Sequence, residues 1–399
     1  MQLGLNLPWI ECGHDFGYRP PAWGRGERPA RDYEAIADEL ARLRDEMGTN
    51  IIRMWVLAGG VNYPAGVDVL EQYRLVPWPL EEGLRIGLPR GLRRQALKAS
   101  GVSSYERIEL GEAPLPPLSG AFLEDFAALL KAFKRRDLRL MPVLVSFEFF
   151  HPVSMQIGGV ASRGRNAFVF GDDGRDPGQI ERFLDATLSP LLEVSEGYRD
   201  TIEAWEVMNE PDWSTEGGPL HARLDGDGFH VMPKTVPADM MSEFLERSLR
   251  RITDAGFVSS VGFKKADPTW VSPSLRDFMV DRAAAGEYLH QVHHYPSLYE
   301  PGRLKPHASL PVQPCIVGEM ATIQGKPLGL HIAWWRERLR DIRRAGKANE
   351  YLQRRLEIIE ELGYPMALLW SVQSKDIATD MSPRVIAQVK RYGDRQCVS

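Results

Sequence analysis

The sequence predicts an α/β protein, a (β/α)8 barrel with long insertions in the loops that follow its strands. Three observations lead there. Strand-like and helix-like runs alternate along the 399 residues, which is the pattern of parallel βα units. Eight of the runs are apolar and of strand length. Two of those end abruptly in a glutamate, at the end of the strand where a barrel presents its functional residues. The chain reads as one barrel over 1–399, with an insertion at 58–120 after the second strand, on the active face.

The first strand covers about 2–7 and opens into an aromatic, Gly-rich loop, Pro8 to Arg31. Asp32 then caps a helix on which Tyr33, Ile36, Ala37, Leu40, Leu43 and Met47 recur at helical spacing, and Gly48 closes it. The second strand is 50–57. Arg53 is a charge inside that apolar run, which is costly unless paired. From Ala58 to about Gly120 the periodicity fails amid Gly-Gly and several prolines, with one basic patch of helical character near Arg90–Lys98. A loop of this length is functional or disordered.

Phe122, Phe126, Leu129, Leu130 and Phe133 mark a helix over 121–136, and 138–146 is the third strand. A polar loop at 152–177 and a helix at 180–198 lead to the fourth strand, which ends at Asn209. Another long loop, 211–237, precedes a helix at 239–255 and the fifth strand at 259–265. A helix near 274–285 precedes the sixth strand, 288–295. The seventh strand ends at Glu319, an amphipathic helix covers 348–362, and the eighth strand is 365–370.

Bulk properties narrow the function classes. Hydrophobic content of 43% and charged content of 26% are ordinary for a globular protein. A net charge of -5 offers no argument for nucleic acid or an anionic membrane as partner. No apolar run approaches the roughly 20 residues of a membrane span. Met1 leads straight into a strand-like run with no signal-peptide pattern, so the expectation is a cytoplasmic protein, or a secreted one whose leader has been removed. The 3 cysteines are scattered without CxxC spacing, which suggests neither a disulfide framework nor a zinc site; no cofactor is expected. The 10 tryptophans suit a protein that stacks on something flat.

The chemistry gathers at strand ends. Pro211 has no N–H for a ladder and biases Glu210 away from helix, so the fourth strand stops at Asn209-Glu210-Pro211. Trp213 follows three residues on. The seventh strand ends in the same way at Glu319. Two glutamates on two strand ends are the raw material of glycoside hydrolysis, one as acid/base and one as nucleophile. A single glutamate at a strand end is more often a solvated loop residue, so the signal lies in the set. That set is Arg53, Asn209-Glu210-Pro211, His293-His294-Tyr295, Glu319 and Trp370, on strands two, four, six, seven and eight.

This set resembles the clan A glycoside hydrolases, and is most similar to glycoside hydrolase family five, which includes many cellulases and mannanases. The resemblance covers the barrel strands and leaves out 58–120 and 211–238. It implies a retaining β-glycoside hydrolase acting on a glucan- or mannan-type carbohydrate. It implies Glu210 as acid/base, Glu319 as nucleophile, and Asn209 as hydrogen-bond partner of the sugar 2-hydroxyl. It also implies Arg53 and Tyr295 as supports of Glu319, His293 as a subsite residue and Trp370 as the floor under the −1 sugar. The family expects a histidine near the end of strand three; His151 is the candidate, several residues past Ser146. Trp9, Trp55 and Trp213 are offered as further stacking residues. Two carboxylates about 5 Å apart are not both comfortable as anions, so the charge of Glu319 is expected to keep Glu210 protonated.

Two other readings compete with this one. A metal-dependent hydrolase on this barrel needs clustered ligands such as His-x-His on the first strand, which instead reads Gly4-Leu5-Asn6-Leu7-Pro8. His293 and His294 alternate faces and do not easily ligate one ion, so no metal is expected. A non-catalytic carbohydrate-binding barrel is the second, and the presence of both glutamates argues against it.

Overall fold

The computed structural model describes residues 1–10, 15–17, 32–57, 71–77, 102–110, 117–150, 156–157, 160–161, 166–171, 174–219, 222–225, 228–231, 234–264, 268–294, 314–321, 351–372, 381 and 383–396. Eight strands close into a barrel: β1 (Gln2–Asn6), β2 (Ile51–Trp55), β5 (Arg139–Ser146), β8 (Trp205–Asn209), β11 (Ser259–Phe263), β12 (Tyr288–His294), β13 (Cys315–Ala321) and β14 (Met366–Trp370). Every neighbouring pair is parallel, and the first strand pairs with the last, Gln2 opposite Met366. The eight expected strands are these eight. Among the described residues, no helix is long and apolar enough to cross a membrane.

Helices cover the outside of the barrel for reasons legible in their sequences. In Tyr33–Met47, Asp32 accepts from the Ala35 N–H, Gly48 takes the left-handed conformation at φ 74°, and Tyr33, Ala37, Leu40, Leu43 and Met47 are buried. In Gly120–Arg135, Ser119 caps the helix and Phe122, Phe126, Leu129, Leu130 and Phe133 face the strands. These apolar faces join the outward sides of the barrel strands in one large core.

Three expectations need correction. The helix over 180–198 is two helices, Pro177–Ala186 and Leu188–Glu196, separated by Thr187 at φ -124°, ψ -64°. Pro190 has no N–H for the Ala186 carbonyl, which accepts from the Leu118 N–H instead. A C-terminal helix, Pro383–Gln396, follows the last strand and was not anticipated. Within 58–120, read as irregular, β3 (Glu71–Pro77) pairs antiparallel with β4 (Val102–Leu110). Strand β4 also pairs with β10 (Gly228–Val231), which pairs with β9 (Ala222–Asp225). The result is a four-stranded sheet in the order β3-β4-β10-β9, made from the loops after β2 and β8, while β6 (Gln156–Ile157) and β7 (Val160–Ala161) pair antiparallel in the loop after β5. The central pairing, β4 with β10, joins residues more than a hundred positions apart, as Val102 with Phe229, and leaves no local periodicity to read.

The barrel interior is layered. Ile51, Met141, Ala204, Ile316, Met366 and Leu368 form a separate buried apolar cluster. Two residues further along their strands from Ile51 and Ala204 come Arg53 and Glu206, on the same inward face. The apolar plug thus gives way to a polar layer directly beneath the carboxyl ends of the strands.

Candidate active site

Arg53 is the hub of that layer. Its side chain is 1% exposed, and it forms a two-pronged ion pair with Glu206, Nε to Oε2 and Nη2 to Oε1, both 2.6 Å. Nη1 donates to Glu319 Oε1 at 2.8 Å and to Asn6 Oδ1 at 2.9 Å, while Nη2 donates to Asn209 Oδ1 at 2.8 Å. Burial disfavours the guanidinium charge, but Glu206, and after it Glu319, more than offset this and raise its pKa further. Gln291 closes the network from β12, donating to Glu206 Oε2 at 2.7 Å and to Ser260 Oγ at 3.0 Å.

Glu206 and Asn209 are three residues apart on β8 and would face opposite sides of a regular strand. Both reach Arg53 because the β8–β11 register shifts between Ser260 and Gly262. Two glycines make room for the network. A Cβ on Gly262 would stand 2.3 Å from Glu206 Oε1, and one on Gly318 would stand 1.8 Å from Gln291 Oε1.

The two glutamates meet at the mouth of the barrel. Glu210 sits in the left-handed region at φ 48°, ψ 54°, uncommon for a residue with a side chain. Its N–H donates to the Gly262 carbonyl at 2.7 Å, which fixes the turn against β11. His293 Nδ1 lies 2.9 Å from Glu210 Oε1 and 3.4 Å from Glu319 Oε2. With carboxylate oxygens on both sides, Nδ1 carries the hydrogen, an assignment made from the network. Single donor atoms of Glu210, His293 and Glu319 all lie within 4.8 Å of one another. Cations already stand 2.8 Å from Glu319 and 3.3 Å from Glu210, so both carboxylates are charge-compensated by the protein itself.

Glu210 has two more contacts of consequence. Lys264 Nζ is 3.3 Å from Oε1, and Trp213 Nε1 donates to Oε2 at 2.6 Å. Burial pushes the carboxyl pKa up, but the Lys264 ammonium, the His293 contact and the Trp213 N–H together pull it well below the usual carboxylate range. These contacts favour the ionised form of Glu210, against the expectation that the charge of Glu319 keeps it protonated. Opposite charge and two hydrogen bonds outweigh that repulsion.

A third carboxyl belongs to the same cluster. Glu148, on a 3-10 turn after β5, accepts a hydrogen bond from Ser146 Oγ, which in turn accepts from Asn209 Nδ2 at 3.2 Å. Burial, with the charges of Glu210 and Glu319 nearby, pushes its pKa up to about 7. The amide of Asn209 is thereby fixed at both ends, by Arg53 and by Ser146.

Of the residues singled out from sequence, Arg53, Asn209, Glu210, His293 and Glu319 are brought together, with Trp213 beside Glu210. Trp370 and Trp9 are half-buried and pack against Trp55 with ring centroids 5.5 and 5.0 Å away. Trp55 itself is only 4% exposed, so of these three indoles it is the buried support. Tyr295 and His151 lie outside the described residues. Glu206, Asn6, Ser146, Glu148, Gln291 and Lys264 were not singled out. Glu206 carried a readable signal, because it is a second charge inside an apolar strand and Arg53 needed a partner.

Comparison with solved structures gives the same architecture. The endo-1,4-beta-mannanase of Eisenia fetida aligns with TM-score 0.57 at 16% identity, over 98% of this chain and 90% of that one. The beta-mannanase of the blue mussel Mytilus edulis aligns with TM-score 0.55 at 15% identity, over 98% and 90%. The exo-beta-1,4-mannosidase Op5Man5 of an Opitutaceae bacterium aligns with TM-score 0.52 at 15% identity, over 99% of this chain and 59% of that one. The chain shares their barrel fold. No family model matches the sequence, and no curated protein matches it.

Proposed function

We propose that this protein is a retaining β-glycoside hydrolase acting on β-linked glucan- or mannan-type oligo- or polysaccharides. The observation that carries the reading is the close approach of Glu210 and Glu319, one carboxylate oxygen of each lying within 4.8 Å of the other. Retaining enzymes hold the pair about 5–5.5 Å apart, whereas inverting enzymes leave about 6.5–9.5 Å for a water between. The mannanases and mannosidase that share the fold support the substrate class.

In this mechanism Glu319, fixed by Arg53, attacks the anomeric carbon as Glu210 gives its proton to the departing oxygen. The glycosyl–enzyme bond forms as the glycosidic C–O bond breaks. Esterification removes the charge of Glu319. Glu210, now ionised, takes a proton from water, and the resulting hydroxide displaces Glu319. Asn209, held by Arg53 and Ser146, has one amide hydrogen left for the sugar 2-hydroxyl. Trp370 and Trp9 form the apolar surface for the sugar face.

The test is a panel of aryl β-glycosides and β-linked polysaccharides against three forms of the protein. Glu319→Ala is expected to abolish hydrolysis whatever the leaving group. Glu210→Ala is expected to release dinitrophenolate in a burst, with azide restoring turnover and giving a β-glycosyl azide. Near-full activity of Glu319→Ala would sink the mechanism.

A further inference from the structure

The mechanism leaves Lys264 unused, yet its ammonium stands at contact distance from Glu210. Lys264 follows the last residue of β11, and its ammonium stands 3.3 Å from Glu210 Oε1. Its backbone N–H donates to Asp212 Oδ2 at 2.7 Å. Asp212 is fully buried and also accepts from Trp270 Nε1 at 3.3 Å, so the base of the lysine is anchored. Its head is not buried to the same degree. The Lys264 side chain is 26% exposed against 10% for Glu210, and its ammonium also stands 5.6 Å from the centroid of the Trp213 ring. A lysine anchored at its backbone, with a flexible stem and a partly exposed head, can swing its ammonium off the carboxylate while its base stays in place.

The groups around Glu210 define what that departure does. His293 faces it from β12, Trp213 from its own turn and Glu319 from β13. The charge of Glu210 is felt by Glu148 after β5 and by Asp212. Lys264 supplies positive charge where the three other carboxyls, Glu319, Glu148 and Asp212, supply negative charge or its potential. An acid must be neutral before it can donate, and an ammonium at contact distance favours the anion.

We propose that Lys264 is a positioning residue that sets the protonation state of Glu210, holding it ionised while paired and allowing it to take a proton from solvent when the ammonium moves away. In the free protein the pair keeps the carboxylate in its base form. A saccharide entering between them separates the charges, and Glu210 then becomes the acid. The inference rests on the hydrolase reading for its purpose, while the control of charge stands on the contact itself.

The experiment titrates the Glu210 carboxyl directly, by 13C NMR of glutamate-labelled protein with Glu210→Gln identifying the signal. Lys264→Met and Lys264→Gln are expected to raise its midpoint by about 1–3 pH units, the range for losing an opposite charge at this distance. Lys264→Arg, which keeps the charge, is expected to leave it in place. The alkaline limb of kcat/KM for an aryl β-glycoside should move up in parallel in the two neutral variants. An unmoved midpoint in those variants, or an equal rise in Lys264→Arg, overturns the proposal. A midpoint that moves in a protein that hydrolyses no glycoside upholds the control of charge and overturns the hydrolase reading alone.

Discussion

Arg53 shows how one side chain can decide a site. It contacts two carboxylates and two side-chain amides, all from inside the barrel. Removing one partner of a buried ion pair leaves an uncompensated charge, at a cost of about 3–5 kcal/mol. Arg53→Met is therefore expected to lower stability by that order, measured by denaturant unfolding, because Glu206 and Glu319 both lose the guanidinium that compensates their charge. The double variant Arg53→Met/Glu206→Gln should recover part of the stability but none of the activity, since Glu319 still lacks its cation. Full recovery of activity would show that Arg53 serves only the barrel. Glu210 makes the complementary point. Its charge state depends on Lys264 and His293, which arrive from other strands, so Asn-Glu-Pro could name the carboxyl but not its protonation.

At the level of elements, the site depends on small departures from regular pairing. The shift between Ser260 and Gly262 lets Glu206 and Asn209 share one face, and Gly262 leaves room for the Glu206–Arg53 pair. Gly262→Ala is expected to cost roughly 1–3 kcal/mol through overpacking, and to displace Arg53 from Glu319. Thermal unfolding and kcat read the two effects; a stable variant with unchanged kcat would mean that the pair relaxes around the methyl group. The four-stranded sheet joins strands from 58–120 to the hairpin at 222–231. Loops that follow barrel strands build the active face. Replacing 58–120 by a short turn should reduce polysaccharide hydrolysis more than hydrolysis of a small aryl glycoside. Equal losses on both substrates would leave the insertion a structural role only.

For the whole molecule, the polar layer in the barrel links folding to pH. Glu148 has its pKa raised from 4.5 to about 7 by burial and by neighbouring carboxylates. The folded state therefore binds this proton more tightly than the unfolded chain does, so the contribution is greatest below about 4.5 and falls away as pH rises toward 7. Glu210, whose pKa is lowered, acts in the opposite sense: its contribution is present above 4.5 and is lost on further acidification. Glu148→Gln keeps a group that can accept from Ser146 but does not titrate. It is expected to flatten the decline in melting temperature between pH 4.5 and 7, measured by calorimetry at several pH values. An unchanged slope would mean that Glu148 does not titrate in that range.

The sequence by itself determined the barrel and its eight strands, because apolar runs alternating with capped amphipathic helices are local patterns. It also determined the two glutamates, since a proline after Glu210 and the end of the apolar run at Glu319 mark strand ends without reference to the rest of the chain. The sheet shared by two loops, the break before Leu188 and the C-terminal helix were less legible. The first of these depends on partners distant in sequence. Only the tertiary structure decided which charges meet. Glu206 pairs with Arg53 across 153 positions, and Lys264 reaches Glu210 only because β11 lies beside β8 in the closed barrel. Coulomb interactions depend on distance in space, and burial changes their strength. A linear pattern records neither.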